Sequence, residues 1–199
     1  MVNLKQPIVV ASNNQFKTAE LVECFQFCGL QAISYFELID KVEFPSEGTN
    51  DYQANALAKA EFIHEKLPNQ IIVADDSGMI LEAYPDAFGV TTARDLREYR
   101  DLTKLNQHII ELVEGHSRGV TMVSHLAVVG LDETYYGVGK FIGTIAQKPL
   151  GHNGGSFDLI LTDPVSGKTL AQLPNTQKIP LLHRTKAIKD VMMKIGENR

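Results

Sequence analysis

The sequence has few cysteines, no long hydrophobic run and no secretory signal. Its two cysteines, Cys24 and Cys28, stand four residues apart in a segment with helical periodicity. Two cysteines are too few for a disulfide framework or a cysteine-based metal site, so we expect two small buried side chains in a reducing compartment. No apolar segment is long enough to cross a bilayer, and residues 1–10 lack a cleavage-site pattern. We therefore expect a cytoplasmic protein without a membrane partner.

An excess of positive charge is also missing. The 199 residues contain 19 Lys and Arg against 24 Asp and Glu, a net charge of −5. This net charge argues against a protein that binds a nucleic-acid polymer through an overall positive charge. An anionic ligand would have to be held by a local cluster or by a metal ion. The hydrophobic fraction of 44% is that of an ordinary globular chain.

Hydrophobic periodicity predicts strands that alternate with helices, followed by a hairpin. Predicted strands cover 7–11, 32–39, 71–74, 119–130, 134–145 and 157–161; predicted helices lie within 18–28, 51–66, 95–113 and 186–194. This order is typical of an α/β fold with a mixed β-sheet. No change of composition marks a linker, so we expect residues 1–199 to form a single two-lobed domain.

Asp75 and Asp76 follow the apolar run Ile71-Ile-Val-Ala74. Adjacent carboxylates beside a buried strand are costly unless a cation balances them. Hard oxygen ligands favour Mg²⁺, with Mn²⁺ as a substitute, over Zn²⁺. The competing interpretation is a turn or capping pair, since Asp-x-Ser-Gly is common turn chemistry.

A polar loop before the first helix is a candidate phosphate site. Its residues are Ser12, Asn13, Asn14, Gln15, Phe16 and Lys17. A helix N-terminus offers free N–H groups and the positive end of the dipole, and Lys17 adds a charge. The glycines of a Walker loop are missing. The alternative is an ordinary helix cap with a solvated lysine.

Other charged residues stand out less when each is taken alone. Glu47 could be a loop carboxylate, and Lys59 a surface lysine on the second helix. Lys178, His183 and Arg184 form a basic cluster near the C-terminus that could be a solvated face.

In this order, the segments resemble the inosine triphosphate pyrophosphatase family, the Mg²⁺-dependent hydrolases of inosine and xanthosine triphosphates. The resemblance covers most of the chain. It is carried by Ile8-Val-Val-Ala-Ser-Asn-Asn-Gln-Phe-Lys17, Glu47, Asn55-Ala56 with Lys59, Ala74-Asp-Asp-Ser-Gly78, Gly89-Val-Thr-Thr-Ala-Arg94, Gly143 to Pro149, Gly167-Lys-Thr169, and Lys178 with His183-Arg184.

The resemblance implies an elongated mixed sheet flanked by helices, with two lobes around a central active-site cleft, and often a homodimer. Glu47 and Asp76 would bind Mg²⁺, and Asp76 would also be the general base. The triphosphate of a purine nucleotide would be held by Ser12–Lys17, Lys59 and Ser77. Its base and sugar would be held by Gly155, Ser156, Phe157, Asp158, Lys178, His183 and Arg184. The products would be the nucleoside monophosphate and pyrophosphate.

The sequence departs from the family pattern in the base-binding segment. Gly154-Gly-Ser-Phe-Asp-Leu159 stands where the family has Gly-Phe-Gly-Tyr-Asp-Pro, so Gly155 replaces an aromatic residue that would stack on the purine. Leu182 and Gln172 also replace the usual Ser and Glu. These departures predict loosened or shifted base selection. Two alternatives stay open: a related pyrophosphatase for another modified base, such as a pyrimidine, and a nucleotide-binding module without catalysis.

Overall fold

The computed structural model describes residues 6–99 and 101–197. Its strands are β1 (Ile8–Val10), β2 (Ala32–Ser34), β3 (Ile72–Leu81), β4 (Tyr84–Gly89), β5 (Gly119–Val129), β6 (Tyr135–Ile145) and β7 (Leu161–Thr162). Its helices are α1 (Gln15–Phe27), α2 (Tyr52–His64), α3 (Thr92–Asp95), α4 (Leu102–Leu112), α5 (Asn175–Lys178) and α6 (His183–Glu197). Short 3₁₀ turns cover Tyr35–Glu37, Ser156–Leu159, Leu170–Gln172 and Ile179–Leu181.

The strands form a mixed sheet in the order β2-β1-β3-β5-β6-β7, with β4 paired to β3. β1 runs parallel to β2 and β3, whereas β3–β4 and β6–β7 are antiparallel. The predicted α/β class with a mixed sheet and flanking helices is confirmed. In the described part of the chain, no helix combines the length and apolar character needed to span a membrane.

The chain divides into two compact units, and strands β3, β5 and β6 each contribute residues to both. The first unit contains residues 6–77, 124–139 and 182–197, and the second contains 78–123 and 140–181 apart from residue 100. The cleft and the single-domain organisation expected from the sequence stay predictions.

In the first unit, β1 lies at the centre of a parallel arrangement. Val9 pairs with Ile33 on one side and with Ile72 on the other. Its core also takes in the buried alanines of α2, Ala56 and Ala60. α1 packs against α6. Helices therefore approach the end of β1 and the middle of β3, where the polar residues of interest lie.

In the second unit, β4 folds back on the end of β3, with Leu81 opposite Tyr84. α4 buries Leu105 and Ile109 as its periodicity predicts, whereas Leu102 at its start is exposed. The side chain of Thr92 hydrogen bonds to the backbone of Met79 and Gly89, which ties α3 to this hairpin.

Several predicted boundaries are wrong. β3 does not end before Asp75 but continues through the Asp-Asp-Ser-Gly segment to Leu81. The predicted strand 32–39 ends at Ser34, where a capping box with Glu37 starts a 3₁₀ turn. The segment 157–161 is mostly 3₁₀, whereas the helix predicted within 95–113 is confirmed as α4. The final helix is longer than predicted, since it begins at His183.

The contact between β6 and α6 depends on a missing side chain. A Cβ on Gly139 would clash with the backbone oxygen of His183 and the backbone nitrogen of Ala187. We expect Gly139→Ala to lower the free energy of unfolding by about 1–3 kcal/mol, because neither backbone group can move without shifting α6. Urea denaturation measures this change. Gly155→Ala is the control: its Cβ would meet nothing within 4 Å, so stability should stay within about 0.5 kcal/mol of the wild type. An equal loss in both variants would contradict this account.

Candidate active site

Asp75 and Asp76 are adjacent and buried on β3, with relative exposures of 1% and 5%. Because successive strand residues point to opposite faces, the two carboxylates meet different partners. The carboxylate of Asp76 contacts residues of α2, whereas that of Asp75 contacts residues of α1, β5 and α6. A turn or capping pair, the alternative for these residues, does not describe two carboxylates inside a continuous strand.

On the α2 side, Lys59 joins the two carboxylates predicted as metal ligands. Its Nζ lies 2.7 Å from Oε1 of Glu47 and 3.4 Å from Oδ1 of Asp76. It also donates to the backbone oxygen of Asp75 at 2.9 Å. Lys59 is buried between Ala56 and Ala60. It is therefore not the surface lysine that its sequence context allowed.

Asn55 orients Asp76 and holds the loop that carries Glu47. Its Nδ2 donates to Oδ2 of Asp76 at 2.9 Å, and its side chain also pairs with the backbone N and O of Gly48. Asn55 and Lys59 stand four residues apart and so share a face of α2, whose first turn Asp51 caps through the backbone N of Ala54. Sequence reasoning included Asn55 in a motif but not among the site residues; its helical spacing from Lys59 was the available signal.

On the opposite face of β3, three side chains hold Asp75. Nζ of Lys17 and Nε of Arg184 each lie 3.1 Å from its Oδ2, and the hydroxyl of Ser124 donates to Oδ1 at 2.5 Å. Burial alone would raise the pKa of Asp75. The charges of Lys17 and Arg184, with the hydrogen bond from Ser124, outweigh it and hold the pKa well below its ordinary value.

Arg184 also pairs with the carboxylate of Glu20 and donates to the hydroxyl of Ser77 at 2.9 Å. Its neighbour His183 is buried, and burial followed by the charge of Arg184 lowers the pKa of His183 to about 3. The imidazole is therefore neutral near neutral pH. Both residues were predicted to hold the base and sugar; in this structure Arg184 is engaged with two carboxylates and Ser77.

The predicted phosphate loop is partly occupied by its own packing. Asn13 hydrogen bonds to the hydroxyl of Tyr35 and to the backbone oxygen of Val42, and Asn14 caps α1 by accepting from the backbone N of Lys17. Ser12 is buried, while Asn14, Gln15 and Phe16 are exposed. Burial lowers the pKa of Lys17, although Asp75 opposes the shift. The structure thus directs Lys17 towards the carboxylate of Asp75.

The remaining predicted residues belong to the second unit. Lys178 is buried and its Nζ lies 3.0 Å from the backbone oxygen of Asn153 and 3.3 Å from Oδ2 of Asp158. Phe157 and Asp158 lie in the 3₁₀ turn that follows Gly155, and a Cβ on Gly155 would meet open space. The side chain of Ser156 lies outside the described part of the structure. Within this segment, Lys178 pairs with Asp158, and the backbone N of Asp158 donates to the backbone oxygen of Gly155 at 3.0 Å.

The carboxylates of Glu47 and Asp76, which face α2, form a donor set that fits a hard divalent cation. Glu47 and Asp76 both approach one positively charged nitrogen within 3.4 Å, so the two carboxylates converge. Mg²⁺ in phosphate-handling sites takes one or two carboxylates and completes its shell with water and substrate oxygens. Residues 6–99 and 101–197 contain no cluster of three or more His, Cys, Asp or Glu suited to a metal.

An α/β fold in which lysines from two helices meet two adjacent carboxylates of one strand fits the class suggested by the sequence, a hydrolase of phosphate anhydrides. The sequence model of the Ham1 family matches residues 8–194. The chain belongs to the Ham1 family, and the resemblance to inosine triphosphate pyrophosphatases is confirmed.

Two curated relatives align over nearly the whole chain. A dihydroneopterin triphosphate diphosphatase of Limosilactobacillus reuteri is 34% identical over 195 residues, covering 98% of this chain and 100% of the relative. A dITP/XTP pyrophosphatase of Listeria monocytogenes is 31% identical over 194 residues, covering 96% and 95%. The solved structure of the Staphylococcus aureus Ham1 protein matches with a TM-score of 0.77 and 29% identity, covering 98% of this chain and all of that one.

The ion pairs of Asp75 make stability depend on pH. We expect Asp75→Asn to lower the free energy of unfolding by about 3 kcal/mol near neutral pH, because Lys17 and Arg184 lose a buried partner. Since the native pKa of Asp75 is depressed, its contribution is complete above the unfolded pKa of about 4. It is lost as the pH falls from there towards the native pKa.

Urea denaturation of the two proteins at about pH 7 and about pH 3 measures this difference, which should narrow at the lower pH. Asp86→Asn, at an exposed position of β4, is the control and should leave the free energy of unfolding unchanged at both pH values. If the free energies of unfolding of wild type and Asp75→Asn differ by the same amount at both pH values, the role given to Asp75 is contradicted.

Proposed function

We propose that this protein hydrolyses non-standard purine nucleoside triphosphates, such as ITP, dITP and XTP, to the monophosphate and pyrophosphate, with Mg²⁺ and with Asp76 as the general base. Its enzyme class, a nucleoside triphosphate diphosphatase, is that of its relatives. The observation that carries the proposal is the convergence of Glu47 and Asp76 on Nζ of Lys59. The ammonium group of Lys59 is positively charged and lies between the two carboxylates.

The chemistry requires that negative charge on the phosphate oxygens be neutralised while water attacks. Mg²⁺ held by Glu47 and Asp76 would supply part of that neutralisation and lower the pKa of the attacking water. Asp76 takes the proton from the water, the new P–O bond forms, and the anhydride bridge between the α and β phosphates breaks. Asn55, at 2.9 Å from Oδ2, keeps the Asp76 carboxylate oriented for that transfer.

In this proposal, two lysines bind the triphosphate. Lys59 lies in the carboxylate cluster itself, and Lys17 is in the first turn of α1, where the helix dipole also favours an anion. Ser77 follows Asp76 directly and adds a hydroxyl. The proposal assigns Ser12–Lys17 to the same task through the family resemblance, with exposed Asn14 and Gln15 as the accessible members. The homodimer and the cytoplasmic location rest on that resemblance and on sequence composition.

Removing the Asp76 carboxylate tests the proposed base. We expect Asp76→Asn to keep the fold and to lower the rate of pyrophosphate release from ITP on the order of 10³-fold or more. The wild-type reaction should stop when EDTA removes the divalent cation. Asp86→Asn, with its exposed carboxylate on β4, should turn over at the wild-type rate. Near-wild-type hydrolysis by Asp76→Asn would remove Asp76 from this role, and a wild type inactive with Mg²⁺ would favour a binding module without catalysis.

A second candidate function is the hydrolysis of a pterin triphosphate. It is favoured by the L. reuteri relative, which is named a dihydroneopterin triphosphate diphosphatase and aligns with 98% of this chain. It is also favoured by the open space beside Gly155, where the family has an aromatic residue. A site without that ring has weaker reason to select a purine, because stacking of a base on an aromatic side chain contributes about 1–3 kcal/mol.

A panel of triphosphates separates the two candidates. We expect kcat/KM for ITP and ATP to lie within about tenfold of each other, and Gly155→Phe to raise kcat/KM for ITP roughly tenfold by restoring a stacking surface. Pyrophosphate release from ITP, XTP, ATP, a modified pyrimidine triphosphate and dihydroneopterin triphosphate is the measurement. A strong preference for ITP in the wild type would show that the departures around Gly155 are neutral. A strong preference for dihydroneopterin triphosphate would assign the second function.

A further inference from the structure

Tyr52 carries a buried polar group that the proposed chemistry does not yet use. It is the first residue of α2, and its ring stacks on the ring of His125 from β5, with centroids 5.0 Å apart and planes within 9°. Its hydroxyl is buried and has no hydrogen-bond partner among residues 6–99 and 101–197. The ring is therefore held in place while its donor group is left without an acceptor.

Two other tyrosines, Tyr99 and Tyr35, satisfy their hydroxyls within the protein. Tyr99 also stacks on a histidine, His108, with centroids 4.3 Å apart, but its hydroxyl lies 3.1 Å from Nδ1 of that ring. The hydroxyl of Tyr35 bonds to Asn13. Burying a hydroxyl without an acceptor lowers stability, and such groups in native proteins call for an explanation such as a catalytic role or an absent ligand. The hydroxyl of Tyr52 therefore needs such an explanation.

Tyr52 lies on the same helix as the two residues that bind the carboxylate of Asp76. Tyr52, Asn55 and Lys59 follow one another at i, i+3 and i+7 and so share a face of α2. Asn55 and Lys59 both bind Asp76. Burial, and then the negative charge of Asp76, raise the pKa of Tyr52 to about 12, so the hydroxyl keeps its proton at neutral pH and can act only as a neutral partner.

We propose that Tyr52 is a substrate-binding residue whose hydroxyl donates a hydrogen bond to a phosphate oxygen of the bound triphosphate, with the His125 ring fixing its direction. This inference rests on the function proposed above. The hydroxyl is buried in the structure, so binding requires a side-chain movement that uncovers it. The protonated hydroxyl would then meet the negatively charged oxygen acceptor that it lacks within the described protein.

Tyr52→Phe tests this inference because it removes the hydroxyl and keeps the stacked ring. We expect kcat/KM for ITP to fall roughly 10- to 100-fold, the range for losing a hydrogen bond to a charged group. The affinity for pyrophosphate with Mg²⁺, measured by calorimetry, should fall as well. The melting temperature of the free protein should stay the same or rise, because no hydrogen bond within the described protein is lost. A structural hydroxyl would give the opposite change in stability.

Tyr99→Phe is the matched control, since it removes a hydroxyl from the other stacked pair. Its bond to His108 is lost, so we expect a lower melting temperature and unchanged kcat/KM. Wild-type kcat/KM and pyrophosphate affinity in Tyr52→Phe would overturn the inference, as would a loss of folding. Should the wild type hydrolyse none of the triphosphates, the proposed function fails; the pyrophosphate affinities of wild type and Tyr52→Phe still decide the role of the hydroxyl.

Discussion

Two adjacent carboxylates on one buried strand need positive charge on both of its faces. Asp75 and Asp76 lie in the interior of the first unit, where an unpaired charge is strongly unfavourable. The strand's alternation sends one carboxylate to each side, so a single partner cannot neutralise both. Lys17 and Arg184 supply the charge for Asp75, and Lys59 supplies it for Asp76. The positions of α1, α2 and α6 around β3 satisfy this requirement.

The two sides of the strand differ in what they leave available. Asp75 is saturated by two cations and a hydroxyl, and Arg184 is shared with Glu20 and Ser77. The Asp75 carboxylate itself is therefore suited to holding α1 and α6 against the strand. On the other side, Lys59 is shared between Glu47 and Asp76 across a loop tethered by Asn55. A single ammonium between two carboxylates can be exchanged for a divalent cation at little electrostatic cost, so the second side is suited to chemistry.

The family membership and the departures near Gly155 bear on different parts of the reaction. The residues proposed to bind phosphate and metal lie in the first unit, where Lys59 contacts both Glu47 and Asp76. The segment expected to recognise the base lies in the second unit, where Lys178 is bound to Asp158 and Gly155 leaves open space. A change in base recognition can therefore leave the hydrolytic cluster intact, as expected if relatives with one fold act on different triphosphates.

The sequence by itself determined the α/β class, the strand before Asp75 and the residue types of the site. Hydrophobic periodicity and the order of charged and polar residues are local properties of the chain, so they can be read without the tertiary structure. It could not decide that β3 continues through Asp76 to Leu81, since only cations from distant segments make that burial tolerable. Nor could it show that Asn13 is bonded to Tyr35, that Asn55 orients Asp76, or that the hydroxyl of Tyr52 is without an acceptor within the described chain. Those contacts join residues far apart in the chain, and only the tertiary structure decides which side chains meet.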